Sequence, residues 1–467
     1  MSPAASTRPA AGASEGADTD EGPQRGLSFR YEGYDVDPAA NSVTCRYSLD
    51  GRPFTEVVTF PGGGDWTPAA DAGARLIFLL AGVSYYKTGA PPQIDMGDHA
   101  LTATEHSFLR DYYFEGLGEF AYENGLDLSD LEIVGEIVER PPAEPIGARP
   151  DVPLVPFGGG LDSVVTVELV RPLADPSLFV VNNPGDRYEA IERVAKVTDL
   201  PVVRAERRID PQVKLPAAET GFFNGHVPIT GIISAIGVLA AVLENRGAVI
   251  MSNEWSASMG TLEVAGRWIN HQYSKSYDFE AAFRGVVATS IAPDVEYFSR
   301  LRPHTELWIA RRFAELTKYH LEFHSCNRAF ASDPAKRLDH WCGTCAKCAF
   351  IDLILAPFLP EERLREIFDG DEPLTELSLH DEFERLIGTS PSAKPFECVG
   401  DIDECRAAVA MAVARPDRRT GFPLLQALAS QVTAAAGAGA VDDTDRLLRP
   451  IGPHFIPSRY AADDLVG

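Results

Sequence analysis

The stretch Val155-Pro156-Phe157-Gly158-Gly159-Gly160-Leu161-Asp162-Ser163 runs from apolar residues through three glycines into an acid and a hydroxyl, and then into a second apolar run. A strand ending at Phe157 and a helix opening near Asp162 would gather backbone N–H groups and a helix N-terminus around one point. Unpaired donors and the positive end of the helix dipole both favour an anion there, so the spacing predicts a phosphate site. No lysine precedes Ser163, which excludes a Walker A loop. Ser163 also stands where the dinucleotide fingerprint requires its last glycine.

A second constellation is made of cysteines. Cys326 is followed by fifteen residues and then by Cys342, Cys345 and Cys348, at two successive CxxC spacings. Each CxxC turn lets two thiolates reach one ion at ~2.3 Å, and the distant fourth cysteine completes a tetrahedron with no open position. The expectation is a structural zinc site, with an iron–sulfur cluster as the rival for the same ligands. Four of only seven cysteines are used in this way, which points to a reducing, cytoplasmic setting.

The glycine turn needs a scaffold, and the flanking residues predict one. VPLVPF, SLFVVNN, LPVVRAE and GAVIMSN read as four strands, separated by helical stretches near 163–172, 188–198 and 228–244. This alternation predicts a parallel sheet covered by helices over 151–360. Pro153 and Pro156 fit the first strand only at its ends. Ligands bind beyond the carboxyl ends of parallel strands, which places Asn182 and Asn183, and also Ser252, Asn253 and Glu254, at the rim of the same crevice; adenine is expected near the asparagine pair.

Upstream, residues 27–150 read as an α+β domain, with a hairpin turning at Asp50-Gly51 and helices near 70–89 and 105–123. Pro141, Pro142, Pro145 and Pro150 mark a linker. Residues 1–26 have the composition of a disordered tail without a signal-peptide core, and 361–467 read as a mainly helical, acidic region. The most apolar run, Ile229 to Leu243, is too short to span a bilayer. The expected class is therefore α/β, with no membrane segment. A formal charge of 42 − 68 = −26 opposes nucleic-acid binding.

The glycine turn resembles the Ser-Gly-Gly-x-Asp-Ser loop of PP-loop ATP pyrophosphatases (the adenine nucleotide alpha hydrolase-like fold), with Gly158 where that family commonly has Ser. The resemblance implies that Gly158, Gly159, Gly160 and Ser163 hold the pyrophosphate of ATP and that Asp162 meets Mg2+. Together with Cys-Gly-x-Cys-x-x-Cys downstream, the central region is also similar to 7-cyano-7-deazaguanine synthase. Related PP-loop chemistry would be nitrile formation on a deazapurine or sulfur transfer to tRNA; a non-catalytic nucleotide-binding module is a further alternative.

A more specific likeness lies in FFNGHVPITGIISA (222–235), MSNEWSAS (251–258), GRWINHQYSKSYDFE (266–280), YFSRLRPHTEL (297–307), SCNRAF (325–330), WCGTCAKCAF (341–350) and KPFECVG (394–400). These strings resemble the UDP-N-acetylmuramoyl-L-alanyl-L-glutamate epimerase family. The resemblance implies ATP-dependent inversion of the terminal L-Glu of a UDP-linked muramyl dipeptide, with release of AMP and pyrophosphate, alongside a ligase that attaches that L-Glu. Adenylation fits the chemical need. A Cα–H beside an ionised carboxylate is hardly acidic, whereas an acyl phosphate can accept the carbanion's charge. The proton carriers expected within these strings are His271, Lys275 and Glu254, with His226 and Cys398 as further candidates. Arg267, Arg302 and Arg328 are the expected clamps for phosphate or substrate carboxylates.

Overall fold

The computed structural model describes residues 23–467 apart from 265, 332, 391–395, 398, 437–443 and 466–467. Most of the predicted tail and the candidate Cys398 thus lie outside the described residues. Arg25 and Gly26, which composition assigned to the tail, are tied down: Arg25 Nε donates to the Ala90 carbonyl at 2.7 Å and its Nη atoms reach Asp130 at 3.0 Å.

Twelve strands are found among the described residues: β1 (Phe29–Asp37), β2 (Ser42–Leu49), β3 (Arg52–Thr59), β4 (Gln93–Asp95), β5 (Glu132–Val134), β6 (Leu154–Pro156), β7 (Ser177–Asn182), β8 (Val202–Arg208), β9 (Ala248–Met251), β10 (Leu262–Val264), β11 (Arg267–Ile269) and β12 (Glu296–Ser299). Ten of them form one mixed sheet in the order β12-β9-β6-β7-β8-β3-β2-β1-β4-β5, and β10 pairs with β11 in a separate hairpin.

The four expected central strands are β6 to β9, and β12 joins them as a fifth parallel member. Alternate side chains go to opposite apolar clusters. Leu154, Phe179, Val249, Met251 and Tyr297 enter one; Val155, Leu178, Val180, Ala248, Ile250 and Phe298 enter the other. A sheet buried on both faces needs the continuous apolar strands seen in the sequence. Pro153 precedes β6 and Pro156 ends it, so neither interrupts the ladder. The helices that follow the strands are Leu161–Val170, Glu189–Thr198 and Ile229–Leu243.

The N-terminal strands are continuous with this sheet. β3 pairs antiparallel with β8 through Val57↔Arg208, Val58↔Arg207 and Thr59↔Glu206. Beneath the joint, Arg207 grips the fully buried Glu56 in a two-pronged pair, Nε to Oε1 at 2.7 Å and Nη2 to Oε2 at 2.9 Å, with Tyr85 Oη donating to the same carboxylate. The β2–β3 hairpin turns at Asp50 and Gly51, both at positive φ, as a two-residue loop requires. The helix Pro68–Ala81 lies on Ile229–Leu243, where Gly73 comes so close that a Cβ would stand 3.2 Å from Leu239. That contact covers the long apolar helix with protein. No helix among the described residues is long and apolar enough to cross a membrane. From 361 on, the described elements are helical, and Ile402–Ala414 and Pro423–Ala436 contribute to the second apolar cluster.

Candidate functional site

The chain leaves β6 to build β7 and β8 on one side, then returns to place β9 and β12 on the other. Strand order therefore reverses at β6, and the carboxyl ends of β6 and β9 flank the crevice that such a reversal opens. The glycine turn sits at this point. Gly159 has φ +78°, and a Cβ there would meet the Ala190 carbonyl at 2.8 Å, so the turn admits only glycine at this position. Gly160 caps the helix Leu161–Val170 without a capping side chain. Among the described residues no backbone carbonyl accepts from the N–H groups of Gly158, Gly159 or Gly160. Ser163 Oγ donates to the Gly160 carbonyl at 3.0 Å.

The turn is held from behind by the segment that leads into Cys326. His324 N–H donates to the Gly159 carbonyl at 3.0 Å, and Ser325 Cβ would lie 3.5 Å from a Cβ on Gly160. Ser325 Oγ is buried and unpartnered. Arg193, from the helix Glu189–Thr198, brings Nη2 within 3.4 Å of His324 Nδ1 and leaves Nε buried without an acceptor. Burial, followed by this guanidinium, pushes the His324 imidazole down to about 4, so the ring is neutral at physiological pH.

In front of the turn, Asp162, Glu254 and Glu306 offer carboxylate oxygens that all lie within 4.8 Å of one another. Asp162 opens the helix after β6, Glu254 follows β9, and Glu306 opens the helix Glu306–Ala314 that follows β12. Asp162 Oδ1 and Glu306 Oε2 are buried without a hydrogen-bond partner. Burial, then the Glu254 charge, pushes the Asp162 carboxyl up to about 6, while Lys347 and Lys275 pull it back. Glu306 is driven well above the carboxylate range by burial and then by Asp162. Behind it the carboxyl of Glu404, whose Oε1 accepts from the Glu306 N–H at 3.2 Å, is raised by burial to about 8. Such a group of acids with unpaired oxygens is suited to holding a divalent cation, which neutralises the mutual repulsion.

At the ends of β7 and β9 the expected rim residues divide. Asn182 is buried, with Oδ1 accepting from Arg204 at 3.2 Å and Nδ2 unpartnered. Asn183 lines an open cleft of about 800 Å3 shared with Asp186, Arg208 and Lys214. Ser252 Oγ is buried and unpartnered beside Asn253.

The two proton-carrier candidates of the 266–280 run lie on the same approach. Lys275 is close enough to act electrostatically on both Asp162 and His226, and its Nζ donates to Gln272 Oε1 at 3.0 Å. His271 Nδ1 makes a short contact with Glu119 Oε2, and the His226 ring lies against His271 with centroids 4.4 Å apart and planes inclined at 44°.

The three arginines expected as clamps are placed differently. Arg302 is fully buried: Nε bonds Glu280 at 3.0 Å, Nη1 donates to the Glu254 carbonyl at 2.8 Å and Nη2 to the Lys275 carbonyl at 2.5 Å. It braces two segments of the site and has no donor to spare for substrate, because Ser258 Oγ and a second bond to Glu280 take the remainder. Arg267 stacks over Phe114 at 3.8 Å and pairs with Glu115 at 2.8 Å, fastening the β10–β11 hairpin to the helix Ala103–Gly116. Arg328 is exposed, two residues past Cys326.

The four cysteines converge. Their Sγ atoms lie within 4.8 Å of one another, Cys345 to Cys348 at 3.5 Å and Cys342 to Cys348 at 3.6 Å, distances suited to a tetrahedral thiolate site. The quartet also positions the neighbouring residues. One arm ends in His324-Ser325-Cys326 behind the glycine turn, and the other carries Lys347, buried between two of the cysteines and close enough to oppose the charges of Asp162 and Glu306.

Arg193, Ser325, Glu306, Lys347 and Glu119 were not expected from sequence. Only Lys347 carried a local signal, its place between two metal-type cysteines. Glu306 could have been found by applying the strand-end rule to a fifth strand at EYFS.

The strand reversal, the glycine turn with unpaired amides and the clustered acids define an α/β protein whose switch point gathers backbone donors beside three carboxylates. Comparison with known proteins is more specific. Residues 21–300 match the MurL N-terminal domain and residues 322–443 the MurL C-terminal domain. A UDP-N-acetyl-alpha-D-muramoyl-L-alanyl-L-glutamate epimerase of Xanthomonas oryzae pv. oryzae is 36% identical over 84% of this chain and 86% of its own. Epimerases of the same name from a Micromonospora species and from Salinispora tropica are each 37% identical over 93% of this chain, covering 97% and 94% of theirs. The chain belongs to the UDP-N-acetyl-alpha-D-muramoyl-L-alanyl-L-glutamate epimerase family. No solved structure matches it.

Proposed function

We propose that this protein is a cytoplasmic isomerase that inverts the terminal L-Glu of UDP-MurNAc-L-Ala-L-Glu to D-Glu for peptidoglycan precursor synthesis, by way of a carboxyl adenylate formed from ATP. The observation that carries the reading is the convergence, in a member of this family, of unpaired glycine-turn amides and three carboxylates, those of Glu254 and Glu306 buried and that of Asp162 half-buried, at the strand-order reversal. In this reading the amides of Gly158, Gly159 and Gly160, with Ser163, seat the departing pyrophosphate, and Arg193 and Ser325 supply further donors. Adenine lies toward Asn183. Asp162, Glu254 and Glu306 would hold Mg2+, which would supply neutralisation of phosphate charge. The cysteine quartet would hold a structural zinc, which would tie 324–326 and Lys347 to one another beside the site.

The substrate glutamate approaches from the Lys275 side. Its α-carboxylate attacks the α-phosphorus of ATP, and pyrophosphate leaves. The Cα–H of the acyl adenylate is then acidic enough for a side chain to remove it, with His271 and Lys275 as the carriers. Water cleaves the anhydride to give AMP and the inverted carboxylate. A ligase that adds L-Glu to UDP-linked muramyl-alanine supplies the substrate. Incubation with ATP, Mg2+ and UDP-MurNAc-L-Ala-L-Glu should give D-Glu after hydrolysis, with AMP and pyrophosphate formed alongside it. D-Glu formed without ATP consumption would refute the adenylate route, and no D-Glu at all would refute the assignment.

A further inference from the structure

Three segments far apart in sequence meet beside Lys275. Glu119 comes from the helix Gly118–Glu123, His226 from the loop that precedes Ile229–Leu243, and His271 from the turn after β11. Their ligating atoms lie within 4.8 Å of one another. Glu119 Oε2 contacts His271 Nδ1 and stands 3.9 Å from His226 Nδ1. The arrangement is braced on each side: Asn124 Nδ2 donates to the Asn224 carbonyl at 3.0 Å, and Lys87 Nζ donates to the Gly225 carbonyl at 2.7 Å. All three side chains are half-buried, so solvent and substrate can still reach them.

Resting on the proposed function, we infer that Glu119 is the positioning residue for proton transfer, holding His271 so that Nε2 takes the α-proton of the glutamyl adenylate while Lys275 returns a proton to the opposite face. A carboxylate on Nδ1 fixes the tautomer that presents Nε2 as the acceptor and stabilises the imidazolium once formed. His226 does not compete. Burial, then His271, pushes its imidazole down to about 4, with Lys275 and Lys87 acting in the same sense against Glu119. A neutral ring packed at an incline against His271 adds no charge to oppose protonation of its neighbour. Lys275 acts electrostatically on both Asp162 of the carboxylate trio and His226 beside the dyad, and its backbone is fixed by Arg302.

In the step itself the Cα–H bond breaks toward His271 Nε2 and its electron pair moves into the acyl carbonyl. The pair then returns to form a new Cα–H bond with a proton from the Lys275 ammonium. Hydrolysis of the anhydride releases AMP, and exchange with water restores both side chains.

The test uses the full-length protein with ATP, Mg2+ and UDP-MurNAc-L-Ala-L-Glu in D2O, measuring AMP, D-Glu and α-deuterium. Glu119→Gln should keep AMP formation within about threefold of the parent while D-Glu formation falls on the order of 100-fold or more. His271→Ala should lose D-Glu formation and recover part of it with added imidazole; the double variant Glu119→Gln/His271→Ala should not recover. Unchanged D-Glu formation by Glu119→Gln, or equal imidazole rescue in the single and double variants, would overturn the inference. Glu119→Asp, checked for an unchanged melting temperature, guards against a folding defect: partial recovery of D-Glu formation supports positioning, and none contradicts it. Absence of AMP with the parent protein would instead refute adenylation alone, because D-Glu and deuterium still report the proton step.

Discussion

Asp162 and Glu306 each open a helix that follows a parallel strand, and each turns a buried, unpartnered carboxylate oxygen into the same small space. Two acids crowded in this way repel once ionised by more than the nearby lysines offset, as their raised carboxyls show, so the pair is costly unless a ligand neutralises it. Replacing Glu306 by Gln should therefore raise the melting temperature of the metal-free protein at pH 8 by about 2 °C or more, while cutting AMP formation at least ~100-fold. Differential scanning calorimetry and an AMP assay check both; a destabilised, active variant would contradict this use of the acids.

The pH dependence follows from the same groups. Asp162 titrates at about 6 and Glu404 at about 8 in the folded chain, both above their ordinary values of 3.8 and 4.5. A raised carboxyl contributes stability that is complete below its unfolded pKa and is lost as pH rises through its folded pKa. Metal-free protein should accordingly melt at a higher temperature at pH 5.5 than at pH 8. Added Mg2+ should stabilise it more at pH 8, where the ligands are ionised. Thermal melts with and without Mg2+ at the two pH values measure this.

The glycine turn makes opposite predictions for neighbouring positions. Gly159→Ala forces a side chain into positive φ and onto the Ala190 carbonyl, so ATP-dependent stabilisation should be lost and the fold weakened by roughly 1–3 kcal/mol. At Gly158 a Cβ meets nothing within 4 Å, and Gly158→Ser should fold normally and retain AMP formation. Equal defects in both variants, measured by melting and ATP turnover, would be evidence against the nest.

On the proposed function, the cysteine quartet couples metal binding to nucleotide binding. Cys348→Ser should lower zinc content from one equivalent per chain, measured by mass spectrometry. It should also weaken ATP-dependent thermal stabilisation, because Ser325 and Lys347 depend on the adjacent cysteines for their placement. Iron and visible absorption in the purified protein would assign the ligands to a cluster instead.

Much of this was legible in the sequence because the signals are local. Three glycines before Asp162 can be read from adjacent residues, as can the CxxC spacing and the apolar runs of β6 to β9. What stayed hidden depends on tertiary convergence. Glu119 reaches His271 across the fold, Glu306 enters the site only through the helix that follows β12, and β3 joins β8 by a long-range antiparallel register. Arg302 shows the complementary error: its type suggested a ligand clamp, but nothing in the residues around it told that all five donors would be taken up inside the protein.

Transfer of oxygen to AMP tests the adenylate most directly. With 18O placed in the α-carboxylate of the terminal glutamate, attack on ATP followed by water at the carbonyl carbon must leave one labelled oxygen in the phosphate of AMP. The account predicts labelled AMP in step with D-Glu; unlabelled AMP, with the label retained in the carboxylate, would contradict it.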